Sequence, residues 1–282
     1  MTMEQGALTI EEAAARLGVH YMTVYRYVRT GRLPAEYRDG RWHIRPDDLD
    51  ASSQGRAGRR SPGHASPSLA IASERMLDRL VAGDASGAWQ IVEQSLLAGT
   101  PRDVYLQVLG PCLRTIGDRW ESGALTVADE HRATAVAIGL VGRLSPMFGR
   151  RGRHRPGCVL LAGAEGDHHA IPLMMVADLL RAEGFNVIQL GADVPLATLL
   201  TMAGAADLTA VGLSASTDRA VGHVKRAIRE LRRRIPPVAV MLGGPAVTSD
   251  EQAREAGADG WAPDAGAAAA LALRIQRGEE IR

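Results

Sequence analysis

Lysine is nearly missing from this chain of 282 residues: Lys225 is the single one, and arginine supplies the rest of the positive charge. The imbalance runs through the whole sequence and reads as a compositional bias, so a run of arginines by itself identifies no partner. Cysteine is scarce as well. The two cysteines, Cys112 and Cys158, fit no zinc-site spacing and make no disulfide framework. The N-terminus lacks an apolar signal core and no segment approaches a membrane span in length, so the expectation is a reduced cytoplasm and no membrane partner. Aromatic residues make up only 4% of the chain, which suits a soluble Ala- and Leu-rich helical or α/β protein. The formal net charge of +1 gives no global pull toward nucleic acid, so such a partner must be met by a local patch. Phosphate-cradling loops are also absent: no G-x-G-x-x-G or G-x-x-x-x-G-K-[ST] follows any strand-like run.

What is present begins with "LTIEEAAARLGVHYMTVYRYVRTGRLPAEYRDGRWHIRPDDLD", residues 8–50. Thr9 can N-cap a helix, with Glu12 three residues on completing a capping box. Ala13, Ala14 and Leu17 supply the buried face, and Gly18 permits the left-handed turn that ends the helix. A second helix is predicted from about Tyr21 to Val28, closed by Gly31, and "AEYRDGRWHI" carries an Asp-Gly turn between alternating polar and apolar residues, a hairpin signal. Helix, tight turn, helix and hairpin make the layout of a winged helix-turn-helix. The stretch resembles the excisionase/MerR-type DNA-binding domains, whose pattern T-x-x-E-A-A-x-x-L-G-V-x-x-x-T-V-x-R it matches from Thr9 to Arg26. The resemblance implies that the second helix enters the major groove of operator DNA. It would put His20, Tyr21, Thr23, Tyr25 and Arg26 near bases or phosphates, with Arg38 and Arg41 on the wing. Seven arginines between residues 16 and 45, against Glu36 and Asp39, make the patch locally basic.

Residues 51–68, rich in Ser, Gly and Pro without an apolar period, are predicted to be a flexible linker. From 69 to about 150 apolar residues recur at helical spacing, with breaks at "AGDAS", "AGTPRD" and "ESGALTVAD", which predicts a four-helix bundle. From 155 to 282 the pattern changes. "CVLLAG", "NVIQLG", "LTAVGLS" and "VAVMLGG" are β-rich runs, each followed by a helical segment, and "ADGWAP" is a weaker fifth. The predicted fold is multidomain, ending in an α/β doubly wound parallel sheet whose ligands sit at the C-terminal strand ends.

There the first strand runs into Glu165, Asp167 and His169. A His two residues after a carboxylate, at a strand mouth, suits metal coordination. One ring nitrogen binds the metal while the carboxylate holds the other. One His and one Asp cannot chelate a bare ion tightly, whereas a cofactor that brings its own metal needs only one more donor. The alternative is that Asp167 and His169 merely cap a helix. "DHHAIP", Asp167 to Pro172, resembles the D-x-H-x-x-G motif of cobalamin-binding domains, which are flavodoxin-like sheets, with Ser214 and Gly243-Gly244 at the later S-x-L and GG positions. Pro172 and Ser216 depart from the motif's Gly and Leu. The resemblance implies that His169 replaces the cofactor's dimethylbenzimidazole as lower cobalt ligand, beside Glu165, Asp167 and His168. The displaced nucleotide tail would thread past Ser214 and Ser216 and against Gly243 and Gly244, where missing side chains leave room.

In "WESGALTVADEH", Trp120 to His131, Trp120 ends one helix and Thr126 or Asp129 caps the next. A helix-end aromatic and solvated charges would explain each residue singly. Together they are similar to the W-x9-E-H motif of the CarH/LitR cobalamin-dependent photoreceptor repressors, and the order of helix-turn-helix, bundle and cobalamin domain is similar too. That resemblance implies adenosylcobalamin as cofactor, with methylcobalamin as the alternative. Trp120 would pack over the adenosyl group and Glu130 and His131 would contact it. It further implies a dark, self-associated dimer or tetramer that binds operator DNA, dissociated when light breaks the cobalt–carbon bond, and no catalytic turnover. A departure stands at Glu121, where well-known members carry the His that binds cobalt after photolysis. The lit state then takes water or another His, His131 first and His168 more remotely, or the protein senses cobalamin without light. A corrinoid carrier or methyltransferase subunit, and a regulator whose sheet binds a different ligand, remain competing readings.

Overall fold

The computed structural model describes residues 7–17, 21–29, 33–38, 41–49, 67–148, 157–235 and 238–281. The chain divides into two compact units, Met1–Ser66 and Pro67–Arg282.

In the first unit helix α1 (Ile10–Leu17) starts from the predicted capping box: the Thr9 amide donates to Glu12 Oε2 at 2.8 Å, and the Glu12 amide donates to Thr9 Oγ1 at 3.2 Å. Helix α2 (Tyr21–Arg29) shares a core with it, built from Ile10, Ala13, Ala14, Val24, Tyr27, Val28, Leu33, Ile44 and Leu49. Leu17, expected inside, is half-buried, and Ile10 at the first helical position takes that role. Strands β1 (Glu36–Arg38) and β2 (Arg41–His43) pair antiparallel with Glu36 opposite His43, and Leu8 bridges to Ile44. Gly18, Gly31 and the Asp39-Gly40 turn lie outside the described residues.

The second unit opens with a helical layer: α3 (Pro67–Ala82), α4 (Ala85–Ala98), α5 (Pro101–Val104), a π-helical turn (Tyr105–Leu109), α6 (Gly110–Glu121) and α7 (Val127–Leu144). Asp84, Thr100 and Thr126 cap α4, α5 and α7, so each predicted break is a helix start with a side-chain acceptor for its free amides. The π turn was not foreseen. Pro111 cannot donate to the carbonyl four residues back and its ring crowds that carbonyl, so the ladder slips by one and the Gly110 amide donates to Tyr105 O.

Five parallel strands follow: β3 (Cys158–Gly163), β4 (Asn186–Gly191), β5 (Leu208–Ser214), β6 (Ala239–Gly243) and β7 (Gly260–Ala262), in the order β4-β3-β5-β6-β7. The order reverses between β3 and β5, which puts a ligand crevice at their C-terminal ends. Helices α8 (Ile171–Ala182) and α12 (Ala265–Gln276) cover one face and share a core with the helical layer. Helices α9 (Leu196–Gly204), α10 (Asp218–Arg234) and α11 (Asp250–Glu255) cover the other.

One buried polar contact ties the helical layer to the sheet. Asp178, on the inner face of α8, accepts from Tyr105 OH at 2.8 Å, Ser145 Oγ at 2.7 Å and Arg181 at 3.2 Å. Burial, then the Asp178 charge, pushes the Tyr105 hydroxyl well above its ordinary pKa. Cys112 and Cys158 are free thiols. Among the described residues no helix is long and apolar enough to cross a membrane.

Candidate functional site

The loop between β3 and α8 carries the candidate ligand. Its backbone is pinned at both ends: the Ala164 amide donates to Ser214 O at 3.0 Å and the Asp193 amide to Asp167 O at 2.7 Å. Gly166 takes a left-handed conformation, φ +80°, and its amide donates to Asp193 Oδ1 at 2.7 Å. Asp193 itself sits at φ 51°, a position an Asp tolerates better than most residues. Sequence reasoning missed it; an Asp in "GADVP", between Gly191 and Pro195, was the available signal.

Inside this frame the Asp167 side chain is buried and accepts three hydrogen bonds: from the His169 amide at 3.1 Å, His169 Nδ1 at 2.8 Å and the Ser216 amide at 2.6 Å. Burial works against the Asp167 charge, but the bonds from His169 and Ser216 outweigh it and hold the carboxyl below its usual pKa. The hydrogen bond to Asp167 raises the His169 pKa against the opposing effect of burial, and the charges of Asp167 and Glu130 add to the rise. With Nδ1 engaged, Nε2 is the nitrogen left to bind, and the His169 side chain is 58% exposed. Neither Asp167 nor His169 caps α8, which has no side-chain cap and carries Pro172 in its first turn.

Glu130 stands in the first turn of α7, a helix that packs against α8. The Thr126–Asp129 capping box fixes that turn. Glu130 Oε2 is 2.7 Å from His131 Nδ1, and Glu130 Oε1 accepts from Thr134 Oγ1 at 2.7 Å, a partner the sequence did not disclose. Trp120, at the end of α6, is 45% exposed. His168 is exposed beside His169.

Glu165 lines a cleft of about 120 Å³ with Leu196, Leu199, His223 and Arg226 under α9 and α10, room for a few waters rather than for a nucleotide. A Cβ on Gly243 would lie 2.7 Å from Ala262 O, and one on Gly244, at φ +100°, would lie 2.3 Å from Ala215 O. These glycines let the neighbouring strand-end loops approach. Ser214 is buried and closes the β5 end, while Ser216 Oγ is buried without a hydrogen-bond partner.

On the first unit, Tyr21 is exposed and stacks on Tyr25 at 6.3 Å between ring centroids. Arg38 is exposed and ion-pairs with Glu36. His20 and the side chains of Thr23, Arg26 and Arg41 lie outside the described residues.

Comparison with known proteins divides the chain in the same way. A B12 binding domain family matches residues 157–270, a second B12 binding domain family residues 72–145, and a helix-turn-helix domain family residues 7–55. The HTH-type transcriptional repressor CarH of Myxococcus xanthus is 34% identical over 199 residues, 69% of this chain and 64% of that protein, so the similarity spans less than two thirds of the relative. Monomethylamine corrinoid protein 1 of Methanosarcina mazei is 28% identical over 72% of this chain and 97% of its own length. The solved structure of the Methanosarcina barkeri monomethylamine corrinoid protein shares the fold over 73% of this chain and 98% of that one, with a TM-score of 0.65 at 24% identity. By its domain set and its similarity to CarH, the chain belongs to the CarH-type proteins, which join a helix-turn-helix domain to paired B12 binding domains.

Proposed function

We propose that this protein is a cobalamin-dependent, light-responsive transcriptional regulator that binds adenosylcobalamin base-off through His169. The single observation that carries the reading is the buried Asp167 carboxylate, which engages His169 Nδ1 at 2.8 Å and leaves Nε2 on an exposed side chain at the mouth of β3. The residues present fit the cofactor. His169 offers one free Nε2, oriented by a buried carboxylate, and among the described residues no group of three His, Cys, Asp or Glu could hold a bare metal ion instead. Ser216 Oγ is a buried polar atom awaiting a partner, 49 residues along the chain from Asp167 yet bonded to it through its amide.

In this reading the DNA-binding unit is residues 1–50, a winged helix-turn-helix; residues 51–68 connect it; 69–150 form a four-helix bundle over the upper cofactor face; and 155–282 bind the lower face. Asp167 fixes the imidazole tautomer and raises its basicity toward cobalt. Ser214 and Ser216 line the path of the nucleotide tail, bounded by the Gly243-Gly244 turn. Trp120 provides a flat apolar cover on the upper side, and Glu130 and His131 provide hydrogen bonds to hydroxyl groups there. Trp120 favours the adenosyl over the methyl form, because a methyl group would leave the indole uncovered. When bound, the cofactor supplies a cobalt–carbon bond that visible light breaks. With the adenosyl group in place the bundle holds a shape that self-associates, and linked helix-turn-helix units raise operator affinity without new contacts. Without the group, Trp120, Glu130 and His131 would lose their contacts to it, and the population would shift to the dissociated form. Once the group is lost, water, His131 through its Nε2 or, more remotely, His168 would serve as the upper donor, since Glu121 has no imidazole.

A gel shift on the chain's own promoter, with adenosylcobalamin in the dark and after green light, tests the reading. Retardation in the dark that is lost on illumination is expected, with sedimentation showing the oligomer dissolve. An assembly and a DNA affinity indifferent to light would leave a carrier or a light-independent sensor.

A further inference from the structure

We infer that the exposed face of α10 is a second double-stranded-DNA contact, one that grips phosphate without reading sequence. This helix (Asp218–Arg234) buries Ala220, Val224, Ala227, Ile228 and Leu231 against the sheet. On the opposite side Arg219, Gly222, Lys225, Arg226, Arg229 and Arg233 are all exposed, at the three- and four-residue spacing that makes one row, whose Gly222 and Arg226 also border the Glu165 cleft. The helix carries seven cations against Asp218 and Glu230, whereas the whole chain is only +1, so the rest of the chain is net acidic. A general arginine bias does not place such an excess on one helix, and the chain's single lysine stands in it.

Four of the row's five cations are also unneutralised. Glu230 pairs with Arg233 at 2.7 Å and with Arg234 at 3.2 Å, and Asp259 pairs with Arg232. Among the described residues Arg219, Lys225, Arg226 and Arg229 have no ion pair. Like charges three or four residues apart destabilise a helix, and Arg229 has cations at both spacings. Burial of the helix needs none of them. A polyanion laid along the face would relieve this repulsion.

The occupant is read from the chemistry of the face. A protein partner would want an apolar centre with aromatic anchors, and between these cations the exposed row offers only Gly222. A uniform cationic strip suits a uniform anion. From Arg219 to Arg233 the helix rises about 21 Å, a length over which duplex DNA presents about twelve charges. Residues 7–55 of the same chain match a helix-turn-helix domain, so a duplex engaged there is held at raised local concentration for this helix.

The test uses the full chain without added cofactor and a random-sequence duplex of about 40 base pairs, with binding followed by anisotropy across a potassium chloride series. This makes it independent of whether cobalamin is bound or light is sensed. Replacing Arg219→Gln, Lys225→Gln, Arg226→Gln and Arg229→Gln together removes up to four phosphate contacts. It should flatten the plot of log affinity against log salt by up to about 3.6, about 0.9 per contact, and weaken binding more than tenfold. A companion variant with the three arginines changed to lysine should keep the parent slope. Parent-like affinity and slope in the glutamine variant would overturn the inference. So would loss of self-association in sedimentation as its only defect, because the face would then be a subunit contact. Absence of DNA binding by the parent would overturn it as well.

Discussion

Asp167→Asn removes one charge from the buried centre of the site and changes almost no volume. In the parent the carboxylate accepts from the Ser216 amide at 2.6 Å, His169 Nδ1 at 2.8 Å and the His169 amide at 3.1 Å. An Asn side chain has one acceptor oxygen, and its NH2 must face one of these donors. At least one buried donor is left unsatisfied, at a cost of about 1–3 kcal/mol. The imidazole also loses the partner that sets its tautomer, and outer-shell partners of metal-binding His typically account for 10–100-fold in affinity. Two readouts follow. Titration of the chain with adenosylcobalamin in the dark, monitored by the base-on to base-off spectral change, should show affinity lowered by about 10–100-fold. NMR titration of the cofactor-free chain should show the His169 pKa falling from its raised value toward 6.5. Unchanged affinity together with an unchanged His169 pKa would refute the argument that Asp167 acts through His169.

Further outcomes follow from the same geometry. Cofactor uptake should weaken as pH falls through the raised pKa of His169, because a proton on Nε2 competes with cobalt; the onset should lie above pH 6.5 and move down in Asp167→Asn. In the cofactor-free chain the His169–Asp167 pair contributes stability that is lost as pH rises through the raised His169 pKa, and lost again as pH falls through the lowered Asp167 pKa, which a pH series of melting curves reads. Tyr105→Phe deletes a buried bond to the Asp178 carboxylate and should cost about 1.5–3 kcal/mol. The assay is urea-dependent labelling of Cys112, a buried thiol whose pKa is pushed up to about 12 until the helical layer opens. Gly244→Ala forces a Cβ to 2.3 Å from Ala215 O at φ +100° and should cost about 2–4 kcal/mol, read from the urea midpoint of the larger unit. His131→Ala should abolish any bis-imidazole spectrum after illumination.

Strands β3 to β6 were legible because buried parallel strands are short continuous apolar runs, and the helix breaks were legible because Thr9, Asp84, Thr100 and Thr126 are cap residues in the right places. Helix α12 was not. Its sequence AGAAAALALRIQ is apolar almost all round, so it shows no helical period to count. The Asp167–His169 pair could be found because both partners are local. The Glu130 contribution to His169, and the Tyr105–Asp178 bond across 73 residues, join segments that only the packed fold brings together. The glycines at 243 and 244 were visible as glycines, but the Ala262 and Ala215 backbone that crowds them comes from segments that only the fold brings alongside.

The central claim is that His169 is the one protein atom source for cobalt. The most direct measurement is the dark absorption spectrum of His169→Ala after incubation with adenosylcobalamin and gel filtration, beside the parent. The account predicts that the parent elutes coloured with a base-off, imidazole-ligated spectrum, and that the variant elutes colourless or with weakly held cofactor lacking that signature. A variant that retains the cofactor with the parent's spectrum and affinity would contradict it.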